Sequence, residues 1–274
     1  MNVMTINLRY RNPQDWDNHW DHRKHLVVNL IEKYLPALIG TQEGFKDQLD
    51  DIARLSPGYA YLDAQKLVSI QRQCPTIFYR RDLLTPITAG NFWLSETPGF
   101  PDSKSWDSAF PRLVTHAFFK IKETDQSFYF FNTHFDHQSA WARRESAFLT
   151  IKKIGEINSE GFPVILVGDF NMGCDSMEHE LLTGKIEIDN VKGGFNNIWE
   201  KLGKPKEGAE TYHGFTGIPK KEQMDWILAT PHFRFLNIQK NEDNQDGKYP
   251  SDHFPVLANL VLPFTPNKKR PDRK

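Results

Sequence analysis

"PVILVGDFN", residues 163–171, sets four consecutive apolar residues, Val164 to Val167, between a proline and a Gly-Asp pair. An unbroken apolar run of strand length, bounded by turn formers, is the pattern of a strand buried on both faces. Such a strand needs a packed layer on each side, and the flanking sequence supplies candidates. Just before it, Ala140 to Ile157 reads as a helix with Phe148, Ile151 and Ile154 inward. From Tyr59 to Phe131 the chain runs strand after strand: YAYLDA, TIFYR, NFWLSE, THAFFKIK and SFYFFNTH, separated by turn-forming residues. QMDWILAT, FRFLNIQ and FPVLANLVL follow in the last quarter. At the other end, Val3 to Leu8 alternate as a strand, then Leu26, Val27, Leu30, Ile31 and Tyr34 form a helical stripe stopped by Pro36, and ALIGTQE follows as a short strand. So many strands with few helices predict an α/β sandwich: two mainly antiparallel sheets packed face to face, with helices on the outer faces.

The 274 residues suit one large domain or two small ones. No internal repeat, low-complexity tract or long linker divides them, so a single domain over 1–265 with a basic tail over 266–274 is expected. Hydrophobic content of 39% and charged content of 25% are those of a soluble globular protein, and no apolar run approaches a membrane span. A formal net charge of −1 lacks the basic excess with which proteins hold long duplexes. Cys74 and Cys174 are too few for a disulfide framework or a thiolate metal site. The opening MNVMTINLRY lacks the features of a signal peptide and reads as a first strand. The expected compartment is the cytoplasm, or the periplasm or exterior if a leader has been removed.

Strand ends carry the chemistry. Asn7, Glu43, His134, Asp169 with Asn171, and Asp252 with His253 each close or open a strand, and Asp225 is a sixth such position. In GDFN, residues two apart point to one face, so Asp169 and Asn171 can address one ligand while Phe170 packs away; capping of a turn is the alternative. Asp225 lies among Met224, Trp226, Ile227 and Leu228, and a carboxylate buried there needs a cationic partner. His253 is the candidate, since a carboxylate on one ring nitrogen leaves the other aimed at substrate. HFDH, residues 134–137, invites a zinc reading, but residues three apart on a strand face opposite sides. The oxygen donors suit Mg²⁺ or Mn²⁺ better.

Asn7, QE at 42–43, NTH at 132–134, GDFN at 168–171, MDWI at 224–227 and SDHFPV at 251–256 occur in the order and spacing of the endonuclease/exonuclease/phosphatase superfamily. The chain resembles that superfamily over nearly its whole length. It is most similar to small bacterial members, through NLRYRNPQDWDNHWDHRK, FWLSETPGFPDSKSWDSAFPR and TYHGFTG. The resemblance implies a four-layer αββα sandwich and metal-dependent phosphoester hydrolysis. It implies that Glu43 binds the divalent cation with Asn7 and Asp252 beside it. Asp169 would orient and deprotonate the attacking water, Asn171 would hold a phosphate oxygen, and His253, backed by Asp225, would contact the scissile phosphate. His134 matches the branch with histidine there, like the pancreatic deoxyribonuclease and bacterial sphingomyelinase types; it would stabilise phosphorane-like charge or protonate the leaving oxygen.

The substrate stays open at this level. Arg9, Arg23, Arg112 and Arg143 lie near the motifs as a second phosphate clamp or as surface ion pairs. Trp16, Trp20, Trp93 and Trp106 fall in polar, proline-containing segments, placed to stack on a base or sugar or to plug the ends of the sandwich. The expected substrate is a small or carbohydrate-linked phosphoester, diester ahead of monoester, with short or single-stranded nucleic acid as the alternative. A glycan- or protein-binding module without catalysis is a further alternative, and a monomer is expected rather than an oligomer.

Overall fold

Two pairs of parallel strands organise the molecule. The computed structural model describes residues 1–62, 73–220 and 222–263. Its first half contains β1 (Asn2–Asn7), α1 (Trp20–Tyr34), β2 (Leu38–Gln42), α2 (Lys46–Leu55), β3 (Tyr59–Leu62), β4 (Thr76–Arg80) and β5 (Leu84–Trp93). There follow β6 (Leu113–Ile121), β7 (Ser127–His134), α3 (Ala140–Ile157), β8 (Val164–Asp169) and α4 (Met177–Leu182). β9 (Asn196–Asn197), α5 (Ile198–Lys201), β10 (Asp225–Ala229), β11 (Arg234–Lys240) and β12 (Val256–Val261) complete the order.

Among the described residues these strands form two six-stranded sheets, β11-β12-β1-β2-β4-β3 and β5-β6-β7-β8-β10-β9. Every pairing is antiparallel except β1 with β2 and β7 with β8. Parallel neighbours require a crossover, and α1 and α3 are those crossovers. Val3, Leu38, Phe128, Phe130, Ile165, Val167, Ile227 and Val256 pack between the sheets. Met4, Ile6 and Leu8 face Val27, Leu30, Ile31, Leu49 and Ile52 of α1 and α2, while Leu166, Phe131 and Trp226 face Phe148 and Ile154 of α3. The result is a four-layer αββα sandwich in which β8 is buried throughout, as its sequence predicts. Each apolar side chain it buries is worth about 2 kcal/mol.

Differences from the sequence reading have local causes. The alternation of β1 separates two buried faces, because α1 and α2 cover the outer one. β5 starts at Leu84, well before NFWLSE, and leaves the sheet after Trp93; it is an edge strand with a register shift between Pro86 and Thr88, and an edge tolerates proline and polar residues. α2 was hidden by its charge: KDQLDDIARL buries only Gln48, Leu49 and Ile52. Asp63 and Ala64 of YAYLDA, Lys221 and the tail from 264 lie outside the described residues.

Candidate active site

The parallel pairs deliver the polar strand ends to one rim. In β1 and β2, Asn7 stands opposite Gln42, so Asn7 and the following Glu43 emerge together. In β7 and β8, His134 stands opposite Asp169. β10 runs against β8 with Asp225 opposite Asp169, and β12 runs against β1, which brings Asp252 and His253 to the same rim. Close approach of the two sheets depends on glycine: a Cβ on Gly40 would overlap Val167 and lie 2.9 Å from Asn132 Oδ1. There Gln42 Nε2 donates to Asn132 Oδ1 at 2.8 Å, and Asn132 Nδ2 donates to the Thr41 and Thr76 carbonyls at 2.9 Å each. These buried amides tie β2 to β7 directly below the rim.

Asp169 is the hub. Asn7 Nδ2 donates to Asp169 Oδ2 at 3.0 Å and to Glu43 Oε1 at 3.1 Å, while Asn171 N donates to Asp169 Oδ1 at 3.0 Å. His134 Nε2 lies 3.4 Å and His253 Nε2 4.0 Å from Asp169 Oδ2. His253 Nδ1 is 2.9 Å from Asp225 Oδ2, the partner the burial of Asp225 requires. Ser251 Oγ joins the Asn7 carbonyl to the Asp252 carboxylate. Glu43 and Asn171 have φ of 61° and 54°, a left-handed conformation uncommon outside glycine, and such outliers cluster at functional sites.

Burial and repulsion from Asp225 push the Asp169 carboxyl up to about 7, against the pull of His253 and the Asn7 amide. Burial would lower His253, but Asp225, Asp169 and Asp252 outweigh it and hold the imidazolium up to about 10. Burial and the field of Arg112 keep His134 well below its ordinary value, so its ring is neutral. Burial raises Asp252 too, with Glu43 adding to the rise and His253 opposing it.

Crowded, buried carboxylates of this kind fit a divalent cation, and their oxygens are the donors Mg²⁺ and Mn²⁺ prefer. Asp169, Asp225 and His253 offer ligand atoms within 4.8 Å of one another. Asp225 and His253 are already hydrogen-bonded to each other, however, and Asp225 is not among the residues lining the cleft, whereas Glu43 and Asp252 are. Glu43 and Asp252 could hold such a cation from the cleft wall, with Asn7, which hydrogen-bonds to Glu43, directly behind.

The model of the Endonuclease/Exonuclease/phosphatase family matches residues 4–253. The chain belongs to this family. Protein L388 of Acanthamoeba polyphaga mimivirus is 32% identical over 248 residues, 87% of this chain and 91% of that one. A family protein from Bacteroides thetaiotaomicron superposes with a TM-score of 0.87 at 31% identity, covering 96% of this chain and 98% of its own. A mannosyl-6-phosphatase of the same organism gives 0.85 at 31% identity, covering 95% and 99%. The chain is thus a phosphoric ester hydrolase of the endonuclease/exonuclease/phosphatase family, whose enzymes generally depend on a divalent metal.

In this family member a cleft of about 340 Å³ holds Glu43, His134, Asp169, Asn171, Asp252 and His253. Arg9 and Arg112 line it as well. Arg9 is gripped by Asp15 through Nε and Nη2, and Arg112 Nη2 lies 3.1 Å from His137 Nδ1. Arg143 and Trp106 are not among its lining residues: Arg143 donates to the Asp136 carbonyl, and the Trp106 carbonyl accepts from Ser139. Arg23 is no phosphate clamp. It is buried and spends its donors on the carbonyls of Leu8, Arg9, Asn18 and Pro250, bracing the segments that carry Asn7 and Asp252. Trp20 and Trp93 are buried, and Trp16 is exposed away from the lining. His137 does reach the cleft, because β7 ends at His134 and the chain turns. The lining also includes Tyr10, Gln73, Phe110, Tyr212 and Met224, which the sequence reading passed over as site residues. Tyr10, Phe110, Met224 and Tyr212 each lie inside a family-like motif, NLRYRNPQ, DSAFPR, MDWI and TYHGFTG, whereas Gln73 lies in none; Tyr212 bridges to His253.

No helix among the described residues is long and apolar enough to cross a membrane.

Proposed function

We propose that the chain hydrolyses a small, carbohydrate-linked phosphate ester with Mg²⁺ or Mn²⁺ held by Glu43, Asp252 and Asn7. The observation that carries this reading is the position of Asp169, whose Oδ2 lies within reach of Asn7, His134 and His253 in the cleft that also holds Glu43 and Asp252. The cation, when bound, neutralises phosphate oxygens and makes the phosphorus a better electrophile.

Asp169 takes the proton of the attacking water, and a carboxylate raised towards 7 is matched to that task. Asn171 holds one phosphate oxygen. His253, kept cationic by Asp225, donates from Nε2 to another. A neutral His134 serves as a hydrogen-bond donor to developing charge, a role that fits its lowered pKa better than proton delivery. Arg9 and Arg112 contact the remainder of the substrate. The 31% identity to a mannosyl-6-phosphatase supports a sugar monoester ahead of the diester expected from the sequence.

Hydrolysis of mannose 6-phosphate, p-nitrophenyl phosphate and bis-p-nitrophenyl phosphate, with Mg²⁺, Mn²⁺ or EDTA, tests the reading. Turnover is expected to need metal, to favour the monoesters, and to fall about 10²–10⁴-fold in Asp169→Ala. Metal-independent turnover, or full activity in Asp169→Ala, would overturn it.

A further inference from the structure

Phe110 is a large apolar ring, 59% exposed, at the wall of a cleft otherwise lined mainly by polar groups. A scattered exposed hydrophobe needs no explanation, but this one is built in. Its ring stacks on that of His137, with centroids 5.8 Å apart and planes at 15°. The Arg112 guanidinium lies 5.8 Å from the Phe110 centroid and reaches His137 Nδ1 at 3.1 Å, so the three side chains form one unit.

Asp136 fixes that unit in place. Its Oδ2 accepts from Ala109 N at 2.9 Å, and its Oδ1 accepts from Gln138 N at 2.9 Å and Ser139 N at 2.8 Å. Ser108 Oγ lies within hydrogen-bond reach of both Asp136 Oδ2, at 3.0 Å, and the Phe110 carbonyl, at 2.6 Å. A single buried carboxylate thus locks the loop bearing Phe110 to the loop bearing His137. Pre-organisation of this kind is what a binding platform requires.

We propose that Phe110, backed by His137 and Arg112, is the platform for the apolar face of a pyranose ring, which makes hexose phosphates the substrate class. The proposal rests on the phosphoesterase reading above and adds to it the group that carries the phosphate. With phosphorus placed between Asp169 and His253, the sugar lies along the neighbouring wall. The negative face of a phenyl ring attracts the weakly positive C–H bonds on one side of a pyranose. Tyr10, Gln73 and Tyr212 offer the donors and acceptors that ring hydroxyls need. A cleft of about 340 Å³ falls in the size range of small-ligand sites and can hold a sugar phosphate. Arg112, half-buried with its Nε enclosed and lacking a hydrogen-bond partner, and 3.7 Å from an Asp136 carboxylate oxygen, has cationic charge to share with an anionic ligand.

The test is calorimetric binding of mannose 6-phosphate, glycerol 3-phosphate and adenosine 5′-monophosphate to Asp169→Asn with Mg²⁺, alone and combined with Phe110→Ala or Phe110→Tyr. The preference for mannose 6-phosphate over glycerol 3-phosphate is expected to fall about tenfold with Phe110→Ala and to survive in Phe110→Tyr. An unchanged preference, no binding of mannose 6-phosphate, or Phe110 dependence with adenosine 5′-monophosphate alone would overturn the assignment. Wild-type turnover of p-nitrophenyl phosphate, measured alongside, separates the two readings. Turnover without Phe110-dependent sugar binding removes the platform, whereas Phe110-dependent binding without turnover removes the hydrolytic reading and leaves the platform standing.

Discussion

Asp225 illustrates how much one buried carboxylate can set. Its Oδ2 holds His253 Nδ1 at 2.9 Å, which fixes the ring, aims Nε2 at the cleft and favours the charged form. Asp225→Ala leaves the imidazole without its orienting partner, so kcat on p-nitrophenyl phosphate is expected to fall about 10–100-fold, with a smaller change in KM. Asp225→Asn keeps a hydrogen-bonding group but removes the charge, and should fall between the two. Equal activity in all three would show that His253 does not depend on Asp225. The apolar neighbours of Asp225 made its need for a partner legible in sequence, because a carboxylate rarely enters such surroundings unpaired. Arg23 is the opposite case: guanidinium chemistry suits phosphate and carbonyl oxygens alike, and only the fold shows that four carbonyls already occupy it. Phe110 lies within the quoted DSAFPR stretch, but nothing in the sequence singles out its ring. The tryptophans drew the stacking argument, while the ring beside the candidate phosphate seat owes its position to Asp136.

At the scale of elements, strand ends converge because each sheet contains one parallel pair, and β8 sits nearest the chemistry in both pairing and packing. The apolar run of β8 and the helical periodicity of α3 were legible because both elements bury hydrophobic side chains in a simple pattern. The start of β5 and all of α2 were not, since an edge strand and a charged surface helix bury too little to leave a clear period. Gly168 tests the link between packing and site. A Cβ there would overlap the Thr133 carbonyl and lie 2.9 Å from Thr133 Cγ2, forcing β8 from β7 next to Asp169. Gly168→Ala is expected to cost about 1–3 kcal/mol in urea unfolding and to depress kcat. Gly155→Ala, in α3 where an added Cβ meets nothing within 4 Å, should instead stabilise by about 0.5–1 kcal/mol with activity retained. If Gly168→Ala matched Gly155→Ala in stability, close packing of β7 on β8 would not be what requires glycine.

Across the whole molecule, the depth of the sandwich makes acid a threat through its histidines. His179, fully buried on α4, packs edge-on to Trp226 at 4.8 Å, and its Nε2 lies 3.0 Å from Asn197 Nδ2. Burial is the largest influence on it, with Glu200 and Asp175 pulling upward and Lys185 and Lys206 downward, and the balance lowers it to about 4. Burial likewise lowers His116 and His213 to about 4. The ordinary histidine value is about 6.5, so between pH 6.5 and 4 the unfolded chain binds a proton that the folded chain refuses. Stability from such a group is complete above pH 6.5 and is lost as pH falls through that window. Asp169, raised to about 7, acts in the opposite sense over the same range, because there the folded state holds the extra proton. The slope of the wild type alone therefore mixes both effects, and a difference between variants isolates one. Between pH 7 and 5 the unfolding free energy of the wild type should decline by about 1–2 kcal/mol more than that of His179→Gln, whose side chain does not titrate. Urea denaturation at the two pH values reads this directly. Parallel pH dependences in the two proteins would mean that His179 is protonated within the folded sandwich and that its burial does not couple folding to acid.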